Sequence, residues 1–281
     1  MRIQFTVTSA EAKWMIAKGI VQLKAVKRAV DQGRIVLKGG TTVSAVAEEI
    51  CGEDVRISGR ITPRGTMTAR YKEETGKHHT IIIEKRRVKG MDHQWEKVVA
   101  RLEKNDLIIV GANAFDVYGN AALMAASFMG SVGGRCLFAA SLEGIHTIVA
   151  VGLEKLVPGN LADIIPMVGR KMVDRSYGSA VGLIPVRGRI FTEKDAVEAL
   201  APVQCIVIGK GGVFGAEGST TLLVDGEEKA VREVENVFKQ IKGSTISGFK
   251  TSLEECGGGC PSCRNHEGCI YKKGFQWGRE L

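Results

Sequence analysis

Short unbroken runs of apolar residues recur along the chain, and each is followed by a glycine-containing stretch. Such runs lie within the predicted strand at 34–38 and at 81–83, 107–110 and 148–151, and they predict strands. Strands without polar alternation are typical of a sheet that is covered by helices on both faces. The repeated order of strand, turn and helix predicts an α/β fold with a largely parallel, Rossmann-like sheet.

Apolar residues at helical spacing predict three helices between these strands. Their predicted bounds are 11–33, 43–50 and 92–104. Gly33 is the expected stop of the first helix. Thr41 or Thr42 is the expected N-cap of the second, and Asp92 that of the third.

The pattern changes after residue 201. Two strands, in CIVIGKGG and TTLLVDGEE, precede an amphipathic helix over 227–242, which together predict a small βαβ-type lobe. Beyond residue 250 the chain is rich in glycine and cysteine. We therefore expect an α/β domain over 1–200, a small α/β lobe over 201–250 and a Cys-rich tail over 251–281.

Composition places the chain among ordinary globular proteins. It has 281 residues, of which 44% are hydrophobic and 25% are charged. No apolar run approaches the length of a membrane helix, and the N-terminus lacks the basic and apolar regions of a secretory signal. We expect a cytoplasmic protein without membrane association, in which thiols stay reduced.

A net charge of +8 favours anionic ligands. The basic residues are dense only at 84–90, and no aromatic residues interleave with them as in single-strand binders. Nucleic acid is therefore not the expected partner, and an anionic small molecule is. The sequence leaves open whether the chain forms a homo-oligomer.

The stretch LKGGTT has the composition of an anion site. Gly39 and Gly40 follow the strand, Thr41 and Thr42 open the helix, and Lys38 supplies a cation. Backbone N–H groups and the helix dipole favour negative charge at such a helix start. The alternative is a tight turn capped by a threonine.

A second turn, NAFDVYGN, follows the strand at 107–110. Asn113 and Asp116 lie where α/β proteins place ligands, and Gly119 and Asn120 are suited to a turn with positive φ. Asp116 is the candidate polar contact or base, and the alternative is that it caps backbone amides. The glycines of SFMGSVGG, at 127–134, predict another helix start that could hold an anion.

In this order, the motifs resemble those of the superfamily of ribose-5-phosphate isomerases and coenzyme A transferases, which also includes sugar-phosphate deaminases and methylthioribose-phosphate isomerases. IVLKGGTTVSAVAEEI is similar to their phosphate-binding strand, loop and helix. DLIIVGANAFD resembles the Gly-Ala-Asp motif of the isomerases, and FDVYGNAAL the Asp-x-x-Gly-Asn turn of the transferases. The resemblance spans roughly residues 10–160. It implies a ligand cleft for a phosphorylated or coenzyme A-type anion.

Departures from these motifs bear on catalysis. Asn113 replaces the central acid of the Gly-Ala-Asp motif, Val110 replaces the acid before it, and only Asp116 remains. An amide cannot act as a general base near neutral pH. Glu143 and Glu154 are the carboxylates near the position of a transferase nucleophile, and we expect surface or capping roles for both.

The tail contains CGGGCPSCRNHEGC. Cys256, Cys260, Cys263 and Cys269 have the spacing Cys-x3-Cys-x2-Cys-x5-Cys. Four thiolates in one short loop can ligate a [4Fe–4S] cluster or, alternatively, zinc, and His266 could replace one of them. We expect a metal or cluster site that is structural, electron-carrying or regulatory.

Two functions follow as expectations. In the first, the chain binds, and in an isomerase- or transferase-like reaction transforms, an anionic small molecule at the strand ends. In the second, it is a non-enzymatic, metal-dependent regulatory or redox-sensing protein.

Overall fold

The computed structural model describes most of the chain. The described residues are 1–69, 77–92, 94–254, 256–258, 263 and 266–273, excluding the side chains at 131, 132, 136 and 273. The strands are β1 Arg2–Val7, β2 Arg34–Lys38, β3 Gly59–Thr62, β4 Gly65–Thr68, β5 Thr80–Glu84, β6 Arg87–Gly90, β7 Leu107–Val110, β8 Ala114–Phe115, β9 Ala121–Ala125, β10 His146–Ala150, β11 Gly182–Val186, β12 Arg189–Phe191, β13 Val203–Gly211 and β14 Ser219–Gly226. The helices are α1 Ser9–Ile20, α2 Lys24–Gln32, α3 Thr41–Cys51, α4 Trp95–Val99, α5 Ser131–Leu142, α6 Leu161–Ile164, α7 Glu193–Leu200 and α8 Glu228–Ile241.

The main sheet has six strands in the order β12-β10-β7-β2-β5-β6. Neighbours among β12, β10, β7 and β2 are parallel, whereas β5 is antiparallel to both β2 and β6. The α/β class is therefore confirmed. The sheet is mixed, and the largely parallel, Rossmann-like arrangement is not confirmed.

Alternate residues of the central strands enter two different hydrophobic cores. Ile35 and Leu37 pack on the side of α1, α3 and α7, whereas Val36 packs on the side of α4 and α5. Both faces of β2 and β7 are thus buried. This explains why these strands are continuous apolar runs in the sequence.

A second sheet, in the order β1-β14-β13, is antiparallel throughout. The strands predicted after residue 201 are confirmed, but their antiparallel pairing differs from the expected βαβ arrangement. Phe5 of β1, Leu222 of β14 and Val231 of α8 belong to the same hydrophobic core as Ile35 of the main sheet. The expected domain boundaries at residues 200 and 250 remain predictions.

The first predicted helix is two helices. The chain leaves α1 in a tight turn, in which the amides of Gln22 and Leu23 bond to the carbonyls of Gly19 and Ile20, and Leu23 is extended. Apolar spacing continues across this break because α1 and α2 both face the same core. The prediction of a single helix over 11–33 was therefore wrong, although Gly33 does end α2.

Two predicted N-caps are also corrected. Gly40 is the N-cap of α3, and Thr41 and Thr42 lie inside the helix. Gln94 is the N-cap of α4, which spans only Trp95–Val99. The Asp92 carboxylate instead accepts hydrogen bonds from the amides of His79 and Thr80, at the start of β5.

Candidate functional site

The carboxyl ends of the four parallel strands lie along one edge of the main sheet. Lys38 of β2 is level with Val110 of β7, and Ala150 of β10 is level with Phe191 of β12. The connections that follow these strands therefore emerge together. In open α/β sheets this edge is where ligands bind. We call it the carboxyl edge.

Lys38 is buried at the β2 end of this edge, with only 9% of its surface exposed. Its side chain reaches the first turn of α5, where a Cβ on Gly133 would lie 2.5 Å from Lys38 Cε and 3.4 Å from Nζ. Gly133 thus makes room for the lysine. The ammonium group lies beside a helix N-terminus, which itself carries partial positive charge.

A second helix N-terminus follows Lys38 directly. The amide of Ser44 makes the first bond of α3, to the carbonyl of Gly40, and Gly40 has no side chain to cap the preceding amides. The first amides of a helix have no partner within it. Thr41 is half-buried there, and Thr42 is 2% exposed.

The two glycines before α3 have different roles. A Cβ on Gly39 would lie 2.2 Å from the carbonyl oxygen of His79, so Gly39 is required by the close approach of β5. A Cβ on Gly40 would meet no described atom within 4 Å. Gly40 therefore borders open space next to the α3 N-terminus, where a ligand has room to approach the backbone.

His79 was missed as a site neighbour by the sequence analysis. Its Nδ1 lies 2.8 Å from the carbonyl oxygen of Arg56 and must donate to it. Burial and the charge of Lys38 lower the pKa of His79 to about 4, so the ring is neutral at physiological pH. A signal was present, since His79 immediately precedes β5, which pairs with β2.

Asp116 is held by hydrogen bonds on both of its carboxylate oxygens. Oδ1 accepts from the amides of Tyr118 and Asn120 at 2.9 Å, and Oδ2 accepts from Asn120 Nδ2 at 2.9 Å and the Leu161 amide at 2.8 Å. Burial alone would raise the pKa of Asp116, but these hydrogen bonds hold it below its ordinary value. The carboxylate fastens the turn between β8 and β9 to the start of α6.

Asn113 and Gly119 also support this turn. Asn113 Oδ1 accepts from the Met124 amide at 3.0 Å, and Gly119 has a φ of +88°, as expected for this glycine. Asn120 is not among the residues with positive φ. The predicted residues of this motif are brought together, and their contacts favour the structural reading of the motif.

The other half of the carboxyl edge contains buried charges that sequence reasoning missed. Lys13 of α1 and Glu154, after β10, form an ion pair of 2.9 Å with 7% and 14% side-chain exposure. Glu154 Oε2 is buried and has no hydrogen-bond partner among the described residues. Burial would raise the pKa of Glu154, but Lys13 and Lys155 keep it below its ordinary value.

Two further charges complete this half. Lys155 donates to the Ala112 carbonyl at 2.9 Å, and burial lowers its pKa to about 8. Glu193 is fully buried, where it accepts from the Leu153 amide and from Thr220 Oγ1, and burial raises its pKa. Glu154 is thus neither a surface residue nor a cap. The pairing of Lys13 with Glu154 spans 141 positions, so no local pattern could predict it.

The described part of the tail packs on the β3–β4 hairpin. The Cys256 amide donates to the Thr68 carbonyl at 3.2 Å, and Arg64 stacks over the Tyr271 ring at 4.4 Å. Cys263, His266 and Cys269 line a small cavity together with Cys256. The predicted ligand Cys260 lies outside the described residues.

As they stand, the described residues contain no group of three or more His, Cys, Asp or Glu side chains that could hold a metal ion. Burial, together with Lys272 and Arg170, lowers the pKa of His266. Away from the tail, Cys205 is buried and Cys51 is half-buried, as expected for structural cysteines.

Comparisons with protein-family models, curated proteins and solved structures give no match to this chain. The resemblance to the isomerase and transferase superfamily therefore remains a prediction from the motifs. No helix in the described ranges is both long enough and apolar enough to cross a membrane.

Proposed function

We propose that the protein binds an anionic small molecule, of the phosphorylated or coenzyme A type, at the β2–β7 half of the carboxyl edge. The observation that carries the proposal is the position of Lys38, a buried cation beside the first turn of α5. The α3 N-terminus begins two residues after it. An anion is the natural complement of such an arrangement.

In this site Lys38 supplies the full charge, and the first amides of α3 supply directional hydrogen bonds. The open space beside Gly40 gives the anion access to those amides. Thr41 and Thr42 lie in the first turn, and the half-buried Thr41 is the more accessible of the two as a further hydroxyl donor. His79, neutral and anchored to Arg56, adds no charge but shapes the wall of the site.

Binding is better supported than turnover. Asp116, the predicted base, has both oxygens committed to four hydrogen bonds and a lowered pKa. A general base needs a lone pair directed at the substrate and a pKa near the working pH. This favours a binding role for the site, and it is also the observation that favours the second candidate function, a non-enzymatic regulatory protein.

The test is binding of inorganic phosphate, sugar phosphates, coenzyme A and a coenzyme A thioester by calorimetry and thermal shift. We expect Lys38→Met to weaken the best ligand about 10- to 100-fold, because hydrogen bonds to charged groups contribute about 1.5–3 kcal/mol. Lys18→Met, which removes a partly exposed ion pair with Glu49 away from the carboxyl edge, is the control and should bind normally. Equal binding by Lys38→Met, or no binding of any of these anions, would refute the proposal.

Turnover is tested with the ligand that binds. If the protein is a binding or regulatory protein, no isomer and no acyl-transfer product will accumulate. If product forms and Asp116→Asn abolishes it while ligand affinity and thermal stability are retained, Asp116 is a base after all.

A further inference from the structure

Three cysteines and one histidine in the described part of the tail line one cavity. Cys256, Cys263, His266 and Cys269 line it, with Met67 and Tyr271 among the other wall residues. Its volume is about 10 Å³. That is roughly the space that one water-sized sphere occupies.

We propose that this cavity binds a single zinc-type metal ion through Cys256, Cys263, Cys269 and His266. Three sulfur ligands and one imidazole nitrogen are an established set for tetrahedral structural zinc. The proposal differs from the expected [4Fe–4S] cluster in its metal. Its fourth ligand is His266, a described residue of the cavity wall, whereas the expected ligand Cys260 lies outside the described residues.

Local backbone geometry supports His266 as a ligand. The His266 amide donates to the Cys263 carbonyl at 3.2 Å, so a tight turn brings these two residues together. Cys269 follows three residues later and is bridged to Ser176 in the neighbouring segment. His266 is only 6% exposed, and it is part of the cavity wall.

A backbone contact also supports Cys256 as a ligand. The Gly258 amide donates to Cys256 Sγ at 3.4 Å. Hydrogen bonds from outer groups orient metal ligands and tune them. Gly258 has a φ of +81°, and a Cβ there would lie 2.7 Å from the Tyr271 carbonyl oxygen, so glycine is required for this contact.

The ion would connect the tail to two other segments, the β3–β4 hairpin and the loop around residues 176–179. Cys256 bonds to Thr68 of β4, and the Ile270 amide donates to the Ser176 carbonyl at 3.2 Å. The Ser179 amide in turn donates to the Thr66 carbonyl at 2.6 Å. The ligands share a cavity without forming a ready-made group, so the metal would draw them together and hold these described segments in place.

The experiment is metal analysis of the full chain, purified without oxygen and without added metal, and then reconstituted with zinc or cobalt. We expect one zinc per chain, no acid-labile sulfide, and thiolate-to-cobalt absorption in the cobalt form. His266→Ala and Cys263→Ser should lose stoichiometric metal, whereas Cys260→Ser and Cys51→Ala should keep it. Circular dichroism of each variant checks that the body stays folded.

Each alternative has its own result. Iron and sulfide in equal amounts would overturn the single-ion proposal in favour of a cluster. Metal loss in Cys260→Ser but not in His266→Ala would overturn the ligand set. Fully reactive thiols and no bound metal at zinc saturation would overturn the site itself. Limited proteolysis is an independent readout, since a chelator should expose the tail to cleavage only if the metal holds it.

Discussion

Both halves of the carboxyl edge are formed by the ends of parallel strands. They differ in the groups that surround their buried lysines. At β10 and β12, Lys13, Glu154, Lys155 and Glu193 form a nearly balanced buried cluster. At β2 and β7, the buried Lys38 is placed beside helix N-termini, which add to its positive potential. The first arrangement pairs Lys13 with a carboxylate and Lys155 with a carbonyl oxygen, and the second places Lys38 next to partial positive charge.

The difference teaches that burial of a lysine does not by itself indicate a site. Lys13 and Lys38 have similar exposures of 6% and 9%. What distinguishes them is their position, since Lys13 contacts a carboxylate and a carbonyl oxygen, whereas Lys38 lies beside the first turn of α5. Substituting each lysine should therefore have different consequences.

The largest effect is expected for Lys13→Met. It leaves Glu154 as a buried charge without its ion-pair partner, so we expect the free energy of unfolding to fall by about 3 kcal/mol. Urea unfolding measures this, and Lys18→Met should cost less than about 1 kcal/mol because its pair is more exposed. Lys13→Met/Glu154→Leu should recover part of the loss. Equal effects of Lys13→Met and Lys18→Met would show that burial of the Lys13–Glu154 pair adds nothing to its contribution to stability.

Lys38→Met should show the reverse pattern. Because Lys38 lies beside a helix N-terminus, whose partial positive charge disfavours a cation, we expect Lys38→Met to lower the free energy of unfolding by less than Lys13→Met does. The thermal stabilisation that a bound anion gives the wild type should disappear. If Lys38→Met unfolds as easily as Lys13→Met, Lys38 is a structural residue like Lys13.

A smaller effect is expected from pH at the β10 half. Lys155 has a pKa of about 8 in the folded protein, whereas unfolded lysine titrates near 10.4. Between these values the unfolded chain binds more protons, so stability rises with pH, by roughly 1 kcal/mol for a partly exposed group. The difference in unfolding free energy between wild type and Lys155→Met should increase from pH 8 to pH 10. A flat difference would place Lys155 in ordinary solvent.

The smallest effect is expected for Gly133→Ala. Alanine favours a helix over glycine by up to about 1 kcal/mol, so stability should not fall. The added Cβ would lie 2.5 Å from Lys38 Cε and must displace the end of that side chain. We expect anion affinity to fall about threefold, roughly 0.7 kcal/mol, by calorimetry. Gly209→Ala, where a Cβ meets nothing within 4 Å, is the control and should leave affinity unchanged.

The strands were predictable because burial on both faces leaves unbroken apolar runs, as in β2, β5, β7 and β10. The ends of the helices were less predictable from the sequence. The break between α1 and α2 preserves the apolar spacing, and Asp92 serves β5 rather than a helix. A side chain that can cap a helix can equally satisfy a strand's amides, and only the tertiary fold decides between them.

The candidate site was predictable to the extent that it is local. Lys38 and the glycines after it were identified because one strand, one turn and one helix hold them. Three other contacts join distant segments of the chain. They are the approach of Lys38 to Gly133, the ion pair of Lys13 with Glu154, and the hydrogen bond from the Leu161 amide to Asp116. Such contacts have no signature in a single sequence.

The pairing of β1 with β14 has a consequence for synthesis. Arg2 contacts Asp225, 223 positions later, and β1 contributes Phe5 to the main core. During synthesis, β1 therefore has no partner strand until more than three quarters of the chain has been made. Contacts of such long range slow folding. β1 is short and partly polar, which limits the unpaired strand edge that could aggregate with other chains before β14 is synthesised.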